Sequence, residues 1–170
     1  MPRAVAGLAS AAIVGRRREM ATLRTGIEQA AHGGRSSAYV EAASGTGKSR
    51  LLRELELEAK LAGALVATVG CEDTPGGPYG AIAALLAELH KAKPAVVDHV
   101  APSDAGTLMR VMPWLRAVLP EIEPSAPVDD PGEERMRVQR IVGDWLRAIA
   151  ADQMVVLFVD DLQRADEASA

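Results

Sequence analysis

Aromatic side chains are scarce in this chain: two Trp, two Tyr and one Phe make up 3% of its 170 residues. Its core must therefore be built from Ala, Val, Leu and Ile. Cysteine occurs once, as Cys71, which excludes an internal disulfide and fits a reducing compartment, with the cytoplasm as the expected location. Three histidines, His32, His90 and His99, are scattered without the spacing of metal ligands. Positive charge is not in excess. The net charge is −4, and no basic stripe is interleaved with aromatics, which argues against nucleic-acid binding by this segment. The run Arg16-Arg17-Arg18 reads as the solvated start of a helix. No apolar stretch approaches the ~20 residues needed to cross a bilayer. After Arg3, the segment Ala4 to Val14 carries a cleavage-like Ala9-Ser10-Ala11 but is too weakly hydrophobic for a secretory signal. What remains is 48% hydrophobic and 25% charged, the balance of a globular protein with enough chain for one real core.

The most informative stretch is Ala42-Ala43-Ser44-Gly45-Thr46-Gly47-Lys48-Ser49. It is a phosphate-binding loop of the pattern G-x-x-x-x-G-K-[ST], with Ala42 in the first glycine's place. By chance the relaxed pattern arises in on the order of one chain in a hundred of this length. Its surroundings are those the motif needs. Ala38 to Glu41 is expected to be a strand, Gly45 and Gly47 loosen the turn, and a helix is expected from Arg50 to Ala62. Strand, glycine loop and helix aim backbone N–H groups and a helix N-terminus at an anion. Ser44, Gly45, Thr46, Gly47, Lys48, Ser49 and Arg50 are candidate phosphate-binding residues. Lys48 would reach the β- and γ-phosphates, and the Ser49 hydroxyl would ligate Mg²⁺. A plain surface turn before a helix would leave Lys48 unexplained, because a cation in the first turn opposes the helix dipole.

A second motif stands at the other end. Met154 to Val159 is an unbroken apolar run followed at once by Asp160-Asp161. Such a run predicts a parallel strand buried on both faces, and carboxylates at its C-terminal end lie where α/β sheets bind ligands. In this Walker B reading Asp160 holds the metal's hydration shell and Asp161 orients an attacking water.

Between the motifs the chain alternates. Met20, Leu23, Ile27 and Ala31 predict a first helix stopped by Gly33-Gly34, and Leu65 to Val69 predicts a strand. Asp73 to Pro78 predicts a turn, and Ile82, Leu85, Leu86 and Leu89 predict a helix. Short helical pieces broken by Pro102 and Pro113 follow, then a loop marked by Pro120, Pro124 and Pro127. Asp130-Pro131-Gly132-Glu133 predicts a capped helix start. The stripe Val138, Ile141, Val142, Trp145, Ile149 faces a core.

These residues together carry a resemblance. Val14-Gly15-Arg16, the loop ending Gly-Lys-Ser-Arg-Leu-Leu, Gly70-Cys71-Glu72, Pro78-Tyr79-Gly80 and Asp160-Asp161-Leu162-Gln163-Arg164-Ala165-Asp166-Glu167-Ala168-Ser169 resemble the AAA-type ATPase domains of the STAND signalling class. That class includes large LuxR-type regulators, some bacterial cyclases and kinases, and an origin-recognition-like family. The resemblance implies a three-layer P-loop NTPase fold with a parallel sheet, incomplete at the C-terminus. Residues 1–12 would be a tail and 13–170 a partial ATPase domain, with Walker A at 42–49 and Walker B at 155–161. It implies ATP and Mg²⁺ as ligands. Val14, Gly15 and Arg16 would lie near the adenine, Gly45, Gly47, Lys48 and Ser49 at the phosphates, Ser49 and Asp160 at the metal, and Asp161 at the water.

Three positions depart from the family pattern: Ala42 for Gly, Asp161 for the commoner Glu, and Arg164 where Trp is frequent. The family also continues past Walker B with a sensor strand, an arginine that reads the γ-phosphate and a helical lid. The expected function is an Mg-ATP-binding regulatory module of a larger protein, with slow hydrolysis in the complete domain and little here. The alternatives are an ATPase proper, a cyclase- or kinase-linked domain, or a scaffold that binds no nucleotide. The sensor strand would separate Ala38–Glu41 from Met154–Val159, so the two strands are expected either to leave an open slot, with self-association or C-terminal segments as its partners, or to collapse together in a pairing foreign to the family.

Overall fold

The computed structural model describes residues 16–43, 45–74 and 77–169. Its centre is a pair of parallel strands, β1 (Leu65–Gly70) and β2 (Val155–Asp160), in register from Leu65 opposite Val155 to Gly70 opposite Asp160. Side chains alternate across a strand, which sorts the pair into two faces. Leu65, Ala67 and Val69 with Val155, Leu157 and Val159 join one apolar cluster, while Val66, Val156 and Phe158 join another. Both faces carry packed side chains, which gives the unbroken apolar run its reason, but β2 is only half-buried apart from Phe158, short of the expected burial on both faces.

The helices α1 (Arg17–Ala31) and α2 (Lys48–Leu61) cover the Val66–Phe158 face through Met20, Leu51, Leu55 and Ala59. Each helix ends in the same motif. Gly34 N–H donates to Gln29 C=O at 2.9 Å and Ala64 N–H to Ala59 C=O at 3.0 Å. The bonds close the last turn over Gly33 and Gly63, both at positive φ. Arg24 and Glu58 tie α1 to α2 through a two-pronged ion pair.

The opposite face is covered by α3 (Gly80–Ala92), a 3₁₀ segment at Pro94–His99, α4 (Pro102–Val111), the single turn α5 (Leu115–Val118) and α6 (Pro131–Asp152). Asp130 caps α6 as its sequence predicts, its Oδ1 accepting from Gly132 N–H at 2.7 Å. The whole stripe Val138, Ile141, Val142, Trp145, Ile149 is buried. The Trp145 indole N–H donates to Val96 C=O at 2.6 Å, which satisfies the polar end of a side chain 2% exposed.

Three expectations require correction. The residues Ala38 to Glu41 form no strand, and Tyr39 is 70% exposed. A strand exists by virtue of its ladder, and β2 takes β1 as its partner rather than this segment. The slot flanked by two strands is therefore absent among the described residues, because its first wall is not a strand. Helix α2 also begins at Lys48, two residues before the predicted start.

Candidate nucleotide-binding site

The glycine loop turns on Gly45 and Gly47, with φ of 76° and 87°, values that L side chains adopt only under strain. Gly47 stands immediately before α2, so Lys48, Ser49 and Arg50 form the first helical turn and their N–H groups point out of the helix end. Among the described residues no side chain caps that end, and no acidic residue lies in the first turn. The Lys48 ammonium is half-buried and donates to Ala42 C=O at 2.6 Å and Ala43 C=O at 3.2 Å. The Thr46 hydroxyl also donates to Ala43 C=O, at 2.7 Å. The Arg16 guanidinium donates to Thr46 C=O at 2.7 Å. Arg16 thus meets the loop backbone across 30 residues of chain, a contact that no local pattern announces. Ser49 and Arg50 are exposed. Val14, Gly15 and Ser44 lie outside the described residues.

Ala42 is not among the residues at positive φ. Glycine's freedom is therefore not needed there, and the departure from the motif costs the loop no strain. Ala42→Gly is expected to leave ATP affinity unchanged within about twofold while lowering stability by roughly 0.5–1 kcal/mol through chain entropy. Calorimetric titration beside a thermal melt checks both parts.

The acids sit at the C-terminal end of β2. Asp160 faces Gly70 in the ladder and its C=O accepts from Cys71 N–H at 3.0 Å. Alternation from Val156 and Phe158 puts Asp160 on the α2 side of the sheet. Asp161 adopts a left-handed conformation, φ 52°, which Asp tolerates better than most residues. Its N–H donates to Asp160 Oδ1 at 3.0 Å, and its own Oδ1 accepts from Gln163 Nε2 at 2.8 Å. Among the described residues no three His, Cys, Asp or Glu side chains converge as a metal cluster. The oxygen donors of Ser49 and Asp160 are the hard type that Mg²⁺ selects, and Mg²⁺ is ordinarily held by one or two protein ligands with phosphates and water.

Sequence reasoning assigned no role to Asp166 or Ser169, and the structure gives them one. Asp166 Oδ1 accepts from Tyr79 N–H at 2.7 Å and Ser169 N–H at 2.9 Å; its Oδ2 accepts from Ala81 N–H at 3.2 Å and the Ser169 hydroxyl at 2.7 Å. Ser169 Oγ accepts in turn from Ile82 N–H at 3.3 Å. The pair caps α3 from the turn after β2. Tyr79, the residue before α3, is left-handed and offers no cap of its own. The D-x-x-S spacing signals a local turn, but its partner lies 87 residues away.

Burial raises the Asp166 carboxyl pKa, but the Ser169 hydroxyl and the N–H groups of Tyr79, Ala81 and Ser169 outweigh it and hold the carboxyl below its ordinary value. A depressed folded-state pKa stabilises the fold above the unfolded-state value, near 3.9, and that contribution disappears as pH falls through the folded-state value. Acid unfolding is thus expected to begin at lower pH in Asp166→Asn than in the parent relative to each protein's neutral stability. Melts between pH 3 and 7 check it. Cys71 is buried, and its thiol is pushed up by burial first and then by Asp166, Asp161 and Asp160.

A family model described as the AAA ATPase domain matches residues 12–170. The chain belongs to that family. No curated protein and no solved structure matches it significantly. An AAA ATPase domain is a nucleotide-binding P-loop module, and the parallel strands with helices on both faces agree with that α/β fold. Among the described residues no helix is long and apolar enough to cross a membrane.

Proposed function

We propose that this AAA ATPase domain binds Mg-ATP and acts as a regulatory module of the STAND signalling class, within a larger protein that uses the bound nucleotide as a switch. The observation that carries the reading is the start of α2. A helix end with no cap and no acid, led by two left-handed glycines and bearing Lys48, is electrostatically unfavourable alone. A polyphosphate reverses the sign of every one of those terms. Lys48 is the residue for the β- and γ-phosphates. Ser49 and Asp160 hold Mg²⁺, Asp161 orients water, and Arg16 with Val14 and Gly15 flanks the base. Magnesium supplies charge neutralisation at the phosphates.

The regulatory half of the reading rests on what hydrolysis requires. Turnover needs donors placed on the transferring phosphoryl group; Lys48 is such a donor, whereas Asp161 can only accept from an attacking water. Binding is therefore expected to exceed catalysis in importance. Calorimetry with ATP in the presence and absence of Mg²⁺ tests the assignment, and the absence of binding in both would leave a fold without a nucleotide. Multiple-turnover phosphate release separates a switch from an ATPase proper.

A further inference from the structure

We propose that Asp166 is a positioning residue of the nucleotide site: by fastening the turn after β2 to the N-terminus of α3, it holds the Asp160–Asp161 step where Mg-nucleotide must meet it. The inference rests on the Mg-ATP reading and adds a residue that touches no ligand. Asp160 lies on the α2 side of the sheet, whereas α3 packs on the other side through Leu85, Leu86 and Leu89. The segment from Asp161 to Ser169 leaves the C-terminal end of β2 and is fastened to the α3 layer, where Ala168 packs. Its anchors differ in worth. The Arg164–Glu72 pair spans 3.6 Å with side chains 61% and 51% exposed, and pairs of that kind contribute little. Arg135 donates to Glu167 C=O at 2.5 Å from an exposed position. Asp166 instead accepts four hydrogen bonds in a part-buried site, two of them from α3 or the residue before it, and hydrogen bonds to an ionised group are the strong ones. Asp161 is fastened from within its own turn only, by Gln163 and by the Arg164 N–H that donates to its C=O at 2.8 Å. Ala168 also packs against the α3 layer and Ser169 Oγ accepts from Ile82 N–H, and Asp166 is the charged anchor beside them.

The experiment measures ATP affinity of the whole chain with Mg²⁺ and with EDTA, in the parent, Asp166→Ala, Ser169→Ala and Lys48→Ala. The ratio of the two affinities isolates the metal-side contribution. Loss of a residue hydrogen-bonded to a metal ligand costs roughly 10- to 100-fold, and Asp166, which acts through the turn without touching Asp160, takes the lower end of that range. Asp166→Ala is therefore expected to lose about tenfold of the Mg²⁺-dependent gain while its affinity in EDTA, set by the loop, stays within about twofold of the parent. Ser169→Ala, which removes one bond to Asp166 and one to Ile82, is expected to lose a smaller part and serves where Asp166→Ala fails to fold. A general loss of structure would lower both affinities together, so the ratio separates positioning from damage. A folded Asp166→Ala or Ser169→Ala with the full Mg²⁺-dependent gain overturns the proposal and leaves the Mg-ATP reading intact. A parent that binds no ATP, or a Lys48→Ala that binds as the parent does, overturns both.

Discussion

Lys48→Ala is expected to weaken Mg-ATP binding by about tenfold or more, equivalent to at least ~1.4 kcal/mol. The ammonium lies half-buried in the loop, within reach of the carbonyls of Ala42 and Ala43. Two of its three donors are thereby used, and the group is held in place by the loop it serves. A polyphosphate in that loop gains a charge-assisted contact in a partly desolvated nest of N–H groups. The first turn of α2 contains no acid that would compete with it. The same substitution is expected to alter stability little, within about 0.5 kcal/mol, because the surrounding loop is largely exposed. Titration calorimetry on a sample whose melt matches the parent is the decisive measurement. Affinity equal to the parent's would remove the loop from the nucleotide altogether.

What the sequence announced and what it concealed divide along physical lines. Helix α6 was readable because its signals are local: Asp130 as cap, Pro131 at the first position, and a stripe from Val138 to Ile149 with helical period. Strand β2 is readable because apolar side chains pack on both of its faces and write an unbroken apolar run, although only Phe158 of its residues is buried. The start of α2 was placed late because Lys48 and Ser49 count as loop in the motif but as helix in the backbone, the left-handed turn being completed at Gly47. Ala38–Glu41 was misread because a short apolar stretch satisfies strand composition without having a ladder partner. The contacts that organise the site are the least legible. Arg16 with Thr46, and Asp166 with Tyr79 and Ala81, join segments 30, 87 and 85 residues apart, and nothing in either segment names the other.

Trp145→Ala is expected to cost about 3–5 kcal/mol of folding stability, a large share of the ~5–15 kcal/mol available to a domain of ordinary stability. Trp145 is 2% exposed in a chain with few other aromatic side chains. Its ring centroid lies 6.4 Å from that of Trp114, which stacks in turn on His90 at 5.2 Å, so the cavity would open at the centre of the α3–α6 layer. The lost indole also removes the hydrogen bond it donates to the Val96 carbonyl. Trp145→Phe separates the two effects, since it keeps most of the apolar volume and loses only the donor. Its cost is expected to fall near 1–3 kcal/mol. Urea unfolding followed by far-UV circular dichroism, with the exposed Leu57→Ala as a reference, measures both. A Trp145→Ala cost within about 0.5 kcal/mol of that reference would mean that α6 does not pack as described. The nucleotide enters the same balance. A ligand that binds only the folded chain adds about 2.7 kcal/mol at one hundred times its Kd, so Mg-ATP is expected to restore most of the stability that Trp145→Ala removes, although the tryptophan touches no part of the loop. Restoration that vanishes when Lys48→Ala is added to Trp145→Ala would tie the recovered stability to the phosphate site.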